Sequence, residues 1–279
     1  MKELYPLLSV LFLIFGCSQK PLNEYNVTEL ILDDITNTYS KKFSNETPNG
    51  IVYQLIGGSK YILGEVNDGK VSGLWTKWYE NGQKESEETF KDGKRDGLGT
   101  WWYENGQKKD EFTWKDGKVD GTWKWYWSNG TKMKEGNWKD SKLDGICIEW
   151  YENGRKKVKG INKDGRRDGL WTWWYENGQK KSEGKFEDDK KDGLWKDYYE
   201  NGQLQEEGHY KEGKYEGLWR RYFDNGILSI KGNYKNDKQE GFWKSYYDNG
   251  QLKYEWNYKE GELISQKCWD EDRNEKECE

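Results

Sequence analysis

From Lys70 onward the chain is written in short runs where aromatic or aliphatic residues alternate with charged ones. Alternation of this kind over about 4–8 residues predicts β-strands with one covered face. Glycine separates the runs. The Asn-Gly glycines Gly82, Gly106, Gly130, Gly154, Gly178, Gly202, Gly226 and Gly250 are spaced 24 residues apart, and a second series from Gly73 to Gly241 keeps the same step. A fixed period in this range predicts small supersecondary units stacked along one axis.

Asn-Gly between strand-forming residues predicts a hairpin with a two-residue type I′ turn, which needs positive φ at both positions. With Asn81-Gly82 as that turn, Tyr79 faces Lys84 and Trp75 faces Glu88. In later units the Glu88 position is glycine, so Trp123 meets Gly136, Trp171 meets Gly184, Trp195 meets Gly208 and Trp219 meets Gly232. An indole lying over a cross-strand glycine covers bare backbone and locks the register. Asp92-Gly93 and its relatives form a second turn, read as looser because Ser141, Asp189 and Asp237 replace its glycine. One face then carries the Trp75, Tyr79 and Phe90 series, and the other carries Leu74, Trp78 and charged residues. The expected fold is all-β: an elongated single-layer antiparallel meander of 24-residue β-hairpin repeats. It advances roughly 10 Å per unit, so eight units span about 80 Å.

The ends depart from this pattern. Residues 1–16 read as a lipoprotein signal: Leu7 to Phe15 is an apolar run too short to span a membrane, and Ile14-Phe15-Gly16-Cys17 resembles a bacterial lipobox. Cys17 is the expected lipid anchor. Residues 17–48 read as a polar tether with one apolar patch at Leu30-Ile31-Leu32, 49–265 as eight full units behind a worn first one, and 266–279 as a charged C-terminal cap. The sequons at Asn26 and Asn45 carry little weight beside a bacterial lipobox.

Composition adds a constraint. Charged residues make up 35% and aliphatics are scarce, but 18 Trp and 20 Tyr can bury large areas at modest entropic cost. The net charge of −5 is spread over interspersed charges of both signs, which gives no footprint for nucleic acid or an anionic lipid surface.

The segment Gly208-His209-Tyr210-Lys211-Glu212-Gly213-Lys214-Tyr215-Glu216-Gly217-Leu218-Trp219 resembles the MORN repeat, with its Gly-x-aromatic-x-x-Gly-x-x-x-Gly core. The intervening Tyr-x-x-Asn-Gly-Gln hairpin is similar to the bacterial MORN variant of the YwqK-like antitoxin family. The resemblance covers about residues 50 to 265. It implies an extended single-layer β-sheet that holds other molecules.

Candidate chemistry is sparse. His209 is the only histidine and occupies a tolerant strand position, so no metal site is expected. Carboxylates such as Glu80, Glu104 and Glu152 follow the period as solvated turn charges, and neither catalytic residues nor cofactors are expected. Cys147 stands at a Trp75-equivalent position as a small buried substitute, and Cys268 and Cys278 are candidates for a disulfide. The rings of Trp123, Trp171, Trp195, Trp219 and Trp243 are candidate contacts for a partner or a sugar, although the same rings could simply hold a one-layer sheet together. The leading expectation is a non-enzymatic, exported, lipid-anchored envelope protein that acts as a protein-interaction scaffold. A cell-wall glycan-binding module and an antitoxin-like neutraliser are the alternatives.

Overall fold

The computed structural model describes residues 22–44 and 46–278. The expected signal, Cys17 and Asn45 lie outside the described residues. The fold is an open sheet of consecutive antiparallel hairpins, as the periodicity predicts. Its first strands are β1 (Asn23–Asn26), β2 (Leu30–Asp33), β3 (Thr38–Lys41), β4 (Gly50–Ile56), β5 (Ser59–Asn67) and β6 (Lys70–Trp78). From β6 to Lys259 the same hairpin occurs eight times, and the strand Glu262–Trp269 follows, its far edge paired with the short strand Glu275–Lys276.

The segment expected as a tether is folded over its described part. Strand β1 pairs in parallel with β4, β2 and β3 form a hairpin, and Tyr39 stacks on Trp75 at 5.5 Å. Leu30, Tyr39, Val52, Leu63, Val66, Val71, Trp75 and Phe90 form one buried cluster. This small aliphatic core covers the N-terminal end of a sheet that otherwise has few aliphatic residues to bury.

The two turn types are the reverse of those expected. At the Asn-Gly turn the Tyr79 carbonyl accepts from the Gly82 amide (2.9 Å) and the Tyr79 amide donates to Gln83 O (2.8 Å). The loop is therefore Glu80-Asn81-Gly82, three residues long, and only Gly82 has positive φ (80°). Such a loop is a type I turn closed by a glycine bulge. Asn81 works inside it: its Oδ1 accepts from the Gln83 amide at 2.9 Å, and its Nδ2 donates to Glu104 O in the next unit at 3.2 Å. Trp78 consequently faces Lys84, and a bulge between Lys77 and Trp78 restores the expected pairing of Trp75 with Glu88.

The tight type I′ turn is the second one, with φ of 51° at Asp92 and 79° at Gly93. Ser141, Asp189 and Asp237 hold the same left-handed conformation at 64°, 65° and 67°. Asp189 and Asp237 offset the strain by accepting backbone amides of Arg167 (3.0 Å) and Tyr215 (2.7 Å). Ser141 has no comparable side-chain bond among the described residues. Ser141→Gly is therefore expected to raise stability by about 0.5–1 kcal/mol, and Asp189→Gly to give no gain. Urea melts of both variants check this, and a lower midpoint for S141G would refute the strain argument.

The second glycine series bends the strands. Val119 pairs with Trp114 and Trp123 with Phe112, so Asp120, Gly121 and Thr122 stand against Thr113 alone. Gly121 sits at φ 114°, and a Cβ there would come within 3.1 Å of Thr113. The Leu74 series, one residue before the indole positions, lies on the opposite face by the alternation of the strand.

Candidate binding faces of the array

On the first face one row of side chains crosses every strand. Its members from Gly160 onward alternate in size: Gly160, Trp171, Gly184, Trp195, Gly208, Trp219, Gly232 and Trp243. The Cα pairs are those the turn rule predicts, but the rings lean the other way. Trp195 lies over Gly184 of the preceding hairpin, where a Cβ would fall 2.2 Å from the indole, and Trp219 and Trp243 cover Gly208 and Gly232 in the same manner. The indole N–H gives the reason. Trp171 donates to Ile161 O (3.0 Å), Trp195 to Lys185 O (3.1 Å) and Trp243 to Asn233 O (3.1 Å), each in the unit before its own. Glycine-covering therefore fastens one repeat to the next.

These rings are closed to solvent. Trp123, Trp171, Trp195, Trp219 and Trp243 are only 2–9% exposed. Neighbouring rings roof them: Phe186 meets Trp195 edge-on at 5.0 Å, Tyr234 meets Trp243 at 4.8 Å, and the Lys191 ammonium lies 4.1 Å from the Trp195 ring centre. Burial there lowers the Lys191 pKa below the ordinary lysine value. The five indoles expected as ligand contacts are thus placed as the core of a one-layer sheet, while Trp125, at 37%, is partly open.

Cys147 is buried at the tryptophan position, burial raises its thiol pKa, and Cys268 and Cys278 are bridged. His209 is an exposed strand residue opposite Leu194. No group of residues suited to holding a metal occurs among the described residues.

The second face is built differently. Leu74, Leu98, Ile146, Leu170, Leu194, Leu218 and Phe242 form a row, each 36–59% exposed. Beside it runs a charge ladder in which Glu183 pairs with Lys196, Lys196 with Glu207, and Glu207 with Arg220 across successive strands. Glu183 accepts from Lys180 and from the Tyr198 hydroxyl (2.8 and 2.7 Å). Burial pushes its carboxyl up, but these two donors hold it below the usual glutamate value. For Tyr198, burial and then the same carboxylate raise the phenol pKa. The ladder is a feature that period-counting missed, because only its glutamates keep the period, while the position facing them varies from Thr76 and Ile148 to Lys196 and Arg220.

These features define a hairpin-repeat sheet protein with a sealed aromatic face and an open apolar-and-charged one. Residues 72–92, 95–116, 119–140, 167–188, 191–212, 215–236 and 239–260 match the family described as MORN repeat variant, and the chain belongs to that family. The unmatched stretch still folds as the same hairpin, with strands Lys142–Trp150 and Lys156–Lys163 and the turn bond from Tyr151 N to Arg155 O at 2.8 Å. No curated protein matches the chain. A solved structure titled "Crystal Structure of TcdB2-TccC3-Cdc42" is similar at 11% identity, over 86% of this chain and 18% of that one, with a TM-score of 0.20. The chain thus spans a small part of that relative, and so low a TM-score bears on neither fold nor function.

Proposed function

We propose that this chain is a non-enzymatic envelope protein, anchored by a lipid on Cys17, whose hairpin array serves as a scaffold for another protein. The observation that carries the reading is the exposed row from Leu74 to Phe242, on a face that leaves each of these side chains 36–59% exposed among the described residues. Large apolar side chains repeated in the open along one face, each facing a polar residue of the next strand in most units, suit an interaction site. The Cys268–Cys278 bridge suits an oxidising compartment and so supports export. Burial of the five indoles weighs against the glycan-binding alternative, which needs open ring faces. An antitoxin of the YwqK-like kind would be one case of a scaffold whose partner is a toxin.

The test uses intact cells. A photo-cross-linking residue at position 194 is expected to trap a discrete protein partner, and Leu170→Glu/Leu218→Glu is expected to abolish the adduct without lowering the melting temperature. Cys17→Ala is expected to move the chain from the membrane to the soluble fraction. Binding of the purified chain to cell-wall glycan, with no protein adduct at position 194, would overturn the reading.

A further inference from the structure

The charge ladder on the second face loses its glutamate at two positions, 159 and 231, and only at 231 do cations stand on both neighbouring strands. At positions 87, 111, 135, 183, 207 and 255 the returning strand carries glutamate, but at 231 it carries lysine. Lys231 lies directly between Arg220 and Lys244 on the two neighbouring strands. Three cations in adjacent cross-strand positions repel one another, an arrangement that works against the sheet. The outer two have partners, Arg220 with Glu207 at 3.0 Å and Lys244 with Glu255 at 2.9 Å. Lys231 has no carboxylate within ion-pair distance among the described residues, and its ammonium lies 5.8 Å from the Tyr246 ring centre.

The surroundings change at the same place. From the first unit to the fifth, the residue three before the ladder position is lysine (Lys84, Lys108, Lys132, Lys156 and Lys180), and in the last three units it is Leu204, Leu228 and Leu252. Around Lys231 the face is therefore an open groove of about 330 Å³ with a basic centre. Leu218 and Phe242 line one side of it, and Tyr222 and Leu228 the other. Each wall stands two residues along the strand from the cations, which puts the walls about 14 Å apart. As this is the spacing of the backbones, an α-helix of about 10–12 Å diameter would rest on the side chains of the two walls rather than drop between them.

Resting on the scaffold reading above, we infer that the groove centred on Lys231 docks an amphipathic helix of a partner protein. Its middle line carries carboxylates, and its flanks carry apolar side chains. The carboxylates supply the counter-charge Lys231 lacks, and the flanks cover the Leu218/Phe242 and Tyr222/Leu228 walls. A lipid surface fits less well. Glu207 and Glu255 bracket the cations one strand beyond each side, about 5 Å away, which is inside the screening length of about 8 Å. The positive field is therefore a strip two strand spacings wide.

The chain supplies its own control. Lys159 also replaces the ladder glutamate, but it stands between Ile148 and Thr172, with no cation at either cross-strand position. The probe is a fluorescein-labelled synthetic helix with glutamates one turn apart and leucines on both flanks, together with its glutamine twin, titrated by polarisation against the purified array. The wild type is expected to bind the glutamate helix, Lys231→Glu to weaken it at least about tenfold, and Lys159→Glu to leave it unchanged. The glutamine twin should bind weakly, and K231E should melt no lower than wild type because it restores the ladder. Equal binding by K231E, or no binding by wild type, would overturn the inference. So would sedimentation of the wild type with phosphatidylserine vesicles that K231E abolishes. Each of these outcomes leaves the scaffold reading to the cross-link at position 194.

Discussion

Cys147→Trp, which writes the array's own recurrent residue into one of the two units lacking it, is expected to destabilise the protein by about 2 kcal/mol. The reason lies two hairpins upstream. In that unit the large and small residues are exchanged: Gly99 stands at the tryptophan position and Phe112 at the glycine position opposite it. Phe112 fills the place where the next indole would lie, so Trp123 turns the other way and covers Gly136, 2.8 Å from where a Cβ would be. The turned ring leaves Trp123 Nε1 buried without a partner, whereas Trp171, Trp195 and Trp243 donate to the preceding unit. With Gly136 already covered, a small residue must follow at 147, and Cys147 pairs with Gly136 there at 4% exposure. A tryptophan at 147 would compete for that same glycine. Phe112→Gly alone should cost about 3–4 kcal/mol by opening a cavity. In the double variant Trp123 is free to swing back over position 112 and release Gly136 to the new indole. The double-mutant cycle should then show a favourable coupling of about 2 kcal/mol in urea unfolding. Additive losses would mean that the direction of Trp123 is not what sets residue 147.

That chain of compensations also shows where the sequence is legible. Strand pairing followed from one assumption about the turn and survived an error in the turn itself, because a bulge at each hairpin cancels the extra loop residue. Turn type was harder to read. Asn-Gly suits a type I′ loop in isolation, but Asn81 uses its amide to reach Glu104 of the next unit, and that inter-repeat bond favours the longer loop. The direction of each indole was hidden too, since Trp195 has a glycine on both sides and only its N–H bond to Lys185 O selects one. The N-terminal cover could not be read from periodicity, because Tyr39 meets Trp75 through a contact that no repeat announces. The basic groove went unread because the units were aligned by glycine; aligned by charge, the ladder positions show Lys231 out of place.

Arg95→Ala is expected to cost about 3 kcal/mol, although Arg95 lies at the sheet surface. Glu88 occupies the row position that is glycine in most later units, and its side chain is only 6% exposed among Trp75, Phe90 and the N-terminal hairpin. The Arg95 guanidinium pairs with that carboxylate and also lies over the Phe90 and Trp114 rings, at 5.9 and 5.1 Å from their centres. Removing it strands a buried charge, and the loss of the partner outweighs whatever the pair itself contributes. Arginine at 95 is 38% exposed, so water tempers the effect, which puts the estimate at the lower end of the usual range. Glu88→Met, of similar length but uncharged, should be neutral or mildly stabilising. The combination Glu88→Met/Arg95→Ala should fall within about 1 kcal/mol of Glu88→Met alone. Denaturant midpoints of the four proteins decide the matter. If the arginine variant is equally damaging in the methionine background, its role is packing over Phe90 and Trp114 rather than neutralising Glu88.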